Sequence, residues 1–86
     1  MDFFIPELNL IIEYNGDYWH CNPFKYEPKY YHKIKNMLAE DIWDYDKKKI
    51  DLIKNNGYNL EVVWENDYNK DPKLIYKIIK KYVKKN

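Results

Sequence analysis

The stretch IIEYNGDYWHC, residues 11–21, crowds Glu13, Asp17 and His20 around Asn15 and Gly16, with the rings of Tyr18 and Trp19 among them. Carboxylates and an imidazole this close together are the materials of metal binding and proton transfer. Asp2 adds a second carboxylate if residues 2–15 fold back on themselves. Asp2 would then open one strand and Glu13 would close the next, so both could meet at a sheet end. Two such oxygens suit Mg²⁺ or Mn²⁺, which are hard cations. Two exposed strand-end carboxylates with no ligand are the plainer alternative.

A third acid stands further along. Between residues 32 and 55 the pattern is helical, and at 100° per residue Ala39, Ile42, Trp43, Ile50 and Ile53 all fall within about 60° of Asp46. Asp41, Asp44 and Asp51 fall on the far side. Asp46 therefore interrupts a mainly apolar face, where a carboxylate is costly without a partner. Lys35 and Lys49 flank that stripe and could neutralise it. His20 is the favoured partner, because an aspartate that holds an imidazole fixes its tautomer and prepares it to act as a general base.

The elements that must position these groups follow from pattern. DFFI (2–5) and residues 8–14 read as two short strands around Pro6-Glu7, hence a hairpin. On the second strand Leu8, Leu10, Ile12 and Tyr14 share one face, and Asn9, Ile11, Glu13 and Asn15 the other. Residues 16–32 hold Gly16, Pro23 and Pro28 and read as a long loop, a length that usually carries function. A helix is expected from His32 to Asn55, stopped by Gly57. YNLEVVWE (58–65) is a strand with Leu60, Val62 and Trp64 on one face. Asp71-Pro72 starts a last helix with the stripe Leu74, Ile75, Ile78, Ile79, Tyr82 and Val83. The expected order is ββαβα, an α/β (α+β) domain with a small mixed sheet flanked by helices. Its last strand is placed to lie parallel to the hairpin.

Composition bounds the rest. At 86 residues, 45% hydrophobic and 34% charged, the chain is one small globular domain rather than a disordered tail. It has no apolar run near the roughly 18 residues of a membrane span and no signal peptide pattern. Cys21 is alone, so no internal disulfide forms, which fits a reducing compartment. All 15 basic residues are lysine. The dominance of Lys, Asn, Ile and Tyr matches AT-rich codons. It points to a bacterial or phage source and to the cytoplasm of a bacterium or infected host. Lack of arginine removes the side chain best suited to bidentate base recognition.

Read together, DFFIP, IIEYNGDYWHC and DYDKKKIDLIKNNGYNLEVVWE resemble the very-short-patch-repair mismatch endonucleases and the related phage homing endonucleases with an E-D-x-H-D pattern. Both belong to the PD-(D/E)xK nuclease superfamily. The resemblance spans residues 2 to about 66. It implies a truncated restriction-endonuclease-like core and a Mg²⁺- or Mn²⁺-dependent endonuclease acting on double-stranded DNA. It makes Asp2 a metal-binding aspartate, His20 the catalytic histidine and Asp46 the supporting aspartate. Glu13 joins them as a metal ligand; with the register shifted by one residue, the backbone carbonyl of Tyr14 takes that place. Tyr18 and Trp19 fall where the repair enzymes carry rings that wedge between bases. The DNA-facing set is then Asn15, Tyr18, Trp19, Lys25, Lys29 and Lys33, with the lysines and the final helix meeting phosphates.

Three departures shape the expectations. The family carries a further acid on a helix before the first strand, so residues 1–86 are expected to be the catalytic piece of a larger protein. The structural zinc ligands of the repair enzymes fall near Asp17, Asn22, Phe24 and Asn66, which do not make a zinc site, so no structural zinc is expected. The superfamily's Glu-x-Lys reads here Glu13, Tyr14, Asn15, which leaves the lysine's role absent or taken by His20. The rival expectations are an inactive DNA-binding or assembly domain with the same fold, and a small protein-binding domain. An open sheet edge at Asp2 offers pairing with a second copy.

Overall fold

Pro6 and Asn9 set the first reversal of the chain. Strand β1 (Asp2–Ile5) runs into a single 3-10 turn, Pro6–Leu8, with proline at its first position. Asn9 takes a left-handed conformation, φ 50° and ψ 42°, and its N–H donates to the Pro6 carbonyl. Asparagine tolerates that region better than most residues. The chain returns as β2 (Leu10–Asn15), antiparallel to β1, with Asp2 opposite Glu13 and Ile5 opposite Leu10. The computed structural model that gives this architecture describes residues 2–85.

Beyond β2 and the loop that follows come two short antiparallel strands, β3 (Tyr31–His32) and β4 (Met37–Leu38), then helix α1 (Ala39–Asn55). The helix therefore starts at Ala39 and not at His32. Asn36, at φ 56°, turns the chain between β3 and β4, and its N–H donates to the His32 carbonyl. Ala39 N–H then bonds Tyr30 and Glu40 N–H bonds Pro28, so these amides cap the helix on the loop. Tertiary contacts have overridden a helical pattern that seven residues of sequence could equally have satisfied.

Strand β5 (Asn59–Trp64) lies parallel to β2, with Glu13 opposite Val62 and Asn15 opposite Trp64. The sheet order β1-β2-β5 makes β2 central and leaves β1 as an edge strand, with Phe3 and Phe4 about half exposed. At the other end of β2, Asn9 Nδ2 donates to the Gly57 carbonyl at 2.7 Å, joining the first turn to the end of α1. Gly57 has φ 92°, which a side chain would strain. Two more helices close the chain: α2 (Glu65–Lys70), which the pattern had not suggested, and α3 (Leu74–Lys85). Asp71 accepts the Lys73 N–H ahead of α3. The result is a mixed α/β domain with a small mixed sheet and three α-helices, none long and apolar enough to cross a membrane among the described residues.

The core lies on one side of the sheet. Leu10, Ile12 and Val63 are fully buried there against Leu74, Ile75, Ile78, Ile79 and Tyr82 of α3. Each such side chain contributes about 1.5–3 kcal/mol by burial. Strand alternation sends Ile11, Glu13 and Asn15 to the other side, together with Leu60, Val62 and Trp64 of β5. That side faces α1.

Candidate active site

Helix α1 holds the loop through one face. Trp43 Nε1–H donates to the Cys21 carbonyl at 2.5 Å, and Cys21 packs with Ala39 and Ile42 in a second buried cluster. Cys21 adopts φ 50°, which presents its carbonyl to the helix. One residue earlier in the loop and three later in the helix, His20 Nδ1 meets Asp46 Oδ2 at 2.8 Å. Both side chains are about four-fifths buried. An ionised carboxylate only accepts hydrogen bonds, so Nδ1 carries a proton, and in the neutral imidazole Nε2 is the nitrogen with the lone pair. Asp44 and Asp51, on the far side of α1, are exposed and pair with Lys48 and Lys47.

The start of the loop is tied elsewhere. Asp17 N–H donates to Glu65 Oε1 at 3.0 Å, and the Asp17 carboxylate accepts from Asn22 Nδ2 (2.8 Å), the Asn66 N–H (3.3 Å) and the Lys25 ammonium (3.1 Å). Burial pushes this carboxyl up, but the hydrogen bonds from Asn22 and Lys25 outweigh it and hold the group below its ordinary value. Asn22 Oδ1 accepts the Phe24 N–H. The four positions compared above with zinc ligands are thus linked by hydrogen bonds.

Glu13 is 7% exposed at its side chain and pairs with Lys49 of α1 at 3.1 Å. That hydrogen bond raises the lysine above its ordinary value, and the Asp2 and Asp46 charges add to it. Lys49 therefore neutralises Glu13, not Asp46, and stands among three carboxylates. Lys35 lies in the β3–β4 turn, outside the helix, 5.0 Å above the Trp19 ring. Neither lysine is the partner of Asp46. Sequence reasoning missed the Lys49–Glu13 pair, although Lys49 falls three positions after Asp46 on the same helix face. That spacing was its only signal.

The remaining candidates are scattered. Asp2 is exposed and directly opposite Glu13, so both side chains leave the sheet on the same face. Tyr14 turns its ring to the α3 side, edge-on to Tyr68. Asn15 is buried, with no hydrogen bond to its Oδ1. Lys25 and Lys29 are engaged by Asp17 and Glu40, and Lys33 is exposed. Tyr18 and Trp19 are 41% and 47% exposed and rest on His32, which is wholly buried. The Tyr18 ring lies 4.3 Å from the imidazole, and the Trp19 ring meets it edge-on at 5.5 Å. His32 accepts the Lys35 N–H through Nδ1. It is the hidden support of both rings, and nothing in its spacing announced it.

The His20–Asp46 pair opens on a cleft of about 400 Å³, lined also by Lys35, Lys49, Ile42 and Tyr45. Asp46 borders a second hollow of about 260 Å³, lined by Asn15, Trp43, Ile50 and Trp64. Among the described residues, no three side chains of His, Cys, Asp or Glu converge as a metal cage. An oriented imidazole with a free lone pair, beside ammonium groups and paired carboxylates, can take a proton from water next to an anion. No protein-family model, curated protein or solved structure matches this chain.

Proposed function

We propose that this chain is a metal-dependent DNA endonuclease domain, with a PD-(D/E)xK-like core of the very-short-patch-repair and homing-endonuclease type. The observation that carries the reading is the 2.8 Å bond between His20 Nδ1 and Asp46 Oδ2 at the cleft. Asp46 fixes the tautomer, and His20 Nε2 accepts the proton of the attacking water. Asp2 and Glu13 suit a hard divalent ion: two oxygen donors at opposed positions, at a point where the protein places the positive charge of Lys49. When bound, Mg²⁺ or Mn²⁺ would stabilise the charge that builds on the phosphoryl oxygens. Tyr18 and Trp19, held by His32, supply faces on which a base can stack. Plasmid nicking that needs Mg²⁺ or Mn²⁺ and vanishes in EDTA is the expected result; no nicking with either ion would sink the reading.

A second reading has its own support. Lys49 neutralises Glu13, and among the described residues no third His, Cys, Asp or Glu joins the two carboxylates. These facts favour a domain that keeps the nuclease fold and binds DNA without cutting it. DNA binding in EDTA, without nicking under any divalent ion, would select that reading.

A further inference from the structure

Two lysine side chains line the cleft of the His20–Asp46 pair, and they arrive from different elements. Lys35 comes from the β3–β4 turn and Lys49 from α1. Among the described residues, the only carboxylate lining the cleft is Asp46, and His20 already holds it. Lys35 makes no ion pair among the described residues; its nearest partner is the face of Trp19. Lys49 is about half exposed and gives Glu13 one contact, while an ammonium has three donors. The cleft is thus bordered by two lysines with donors to spare and by Asp46, while the Glu13 carboxylate that Lys49 holds lies outside its lining. Its remaining lining includes Ile42 and Tyr45, apolar surface beside the charges.

That combination matches one repeating unit of a nucleic-acid strand, a compact anion attached to an apolar sugar. We infer that Lys35 and Lys49 clamp a single backbone phosphate of the DNA strand in this cleft, beside His20, with the adjoining deoxyribose against Ile42 and Tyr45. The inference rests on the nuclease reading and adds where the strand lies. It also separates these lysines from the cluster on α3. There Lys77 and Lys81 are bound to Asp71 and Glu61, and Lys80 and Lys84 stand beside them with no histidine or carboxylate pair lining the hollow. The α3 cluster belongs to the helix on the opposite side of the sheet.

Counterion release tests the clamp without any cleavage. Binding of a short fluorescent DNA duplex in EDTA is followed by anisotropy across a salt series. Each phosphate contact contributes about 0.9 to the slope of log K against log salt. The clamp holds one phosphate, so Lys35→Met and Lys49→Met should each lower the slope, and the Lys35→Met/Lys49→Met double variant should lower it by about 0.9 in all. Lys35→Arg and Lys49→Arg should preserve it, as should Lys80→Met and Lys84→Met. Lys49→Met leaves Glu13 buried without its partner, so Glu13→Gln/Lys49→Met is measured beside it and should show the same drop. If the wild-type duplex binds but the slope is unchanged in the cleft variants, the clamp is wrong and the nuclease reading stands. An equal drop in the α3 variants would also overturn the clamp, since the effect would then be bulk charge. A wild-type protein that does not bind the duplex overturns both.

Discussion

Leu10 and Ile12 leave β2 on one face of the sheet, Glu13 and Asn15 on the other, and all four are buried to within 5%. On the α3 face burial is spent on aliphatic packing. On the α1 face the same degree of burial falls on a carboxylate and a carboxamide. Glu13 needs Lys49 to be tolerated there, and Asn15 Oδ1 has no hydrogen-bond partner among the described residues. An unsatisfied buried polar group costs about 1–3 kcal/mol. A sheet selected only for stability would carry aliphatic residues on both sides. The α3 face of β2 is therefore packed with apolar side chains, while the α1 side combines a second apolar cluster with buried polar groups and hollows that cost stability.

The strongest way to sharpen that contrast is to remove the positioning carboxylate. Asp46→Ala should lower nicking by about 10²–10⁴, the range of general-base contributions, while thermal unfolding changes little. His20→Ala should match it, and the double variant should be little worse than either, because paired groups act as a unit. Losses that simply multiply would break the pair. On the packed face the sign reverses: Ile12→Ala should cost about 2–5 kcal/mol in urea unfolding, with nicking per folded molecule retained in the cold.

Smaller effects probe the loop. Trp19→Ala should weaken duplex binding by about 1–3 kcal/mol of stacking, roughly 5- to 150-fold, with the fold intact. A large fall in melting temperature with unchanged binding would make Trp19 a packing residue. Asp17→Asn should cost about 1–3 kcal/mol at neutral pH, since it removes hydrogen bonds to a charged group. The folded Asp17 carboxyl lies below its unfolded value, so its contribution is whole above the unfolded value and fades as pH falls through the folded one. Wild type should therefore lose stability in acid more steeply than Asp17→Asn; parallel acid curves would contradict the network. Least of all, Asp44→Ala removes an exposed ion pair with Lys48 and should change stability by about 0–0.5 kcal/mol and leave nicking alone.

Much of this frame was legible in the residue order. Pro6-Glu7 announced the first turn, alternation divided β2 between two faces, and the phase of Asp46 turned it to the inward side of its helix, where it meets His20. What stayed hidden depended on contacts between distant segments. Residues 32–38 fit a helical pattern, yet His32 is drawn under Tyr18 and Trp19, and the helix yields its first turns to β3 and β4. Lys49 was visible as a cation on the right face, but its partner sits 36 positions away on β2, and periodicity reports a direction without naming who waits there. The short α2 has too few residues to show a period at all.

The parallel pairing of β2 with β5 also sets when these groups can meet. Residues 10–15 find residues 59–64 only after the whole intervening crossover has been laid down. Asp17 and Glu65, whose bond ties down the loop before His20, are 48 positions apart. Non-local pairings of this kind form late, because loop closure must come before the contacts that reward it. On the ribosome, a chain that has not yet delivered β5 has His20, Asp46 and the local partners of Asp17, Asn22 and Lys25, but lacks the ties from Glu65 and Asn66. The hollow that Val62 and Trp64 help to line is therefore completed late in folding.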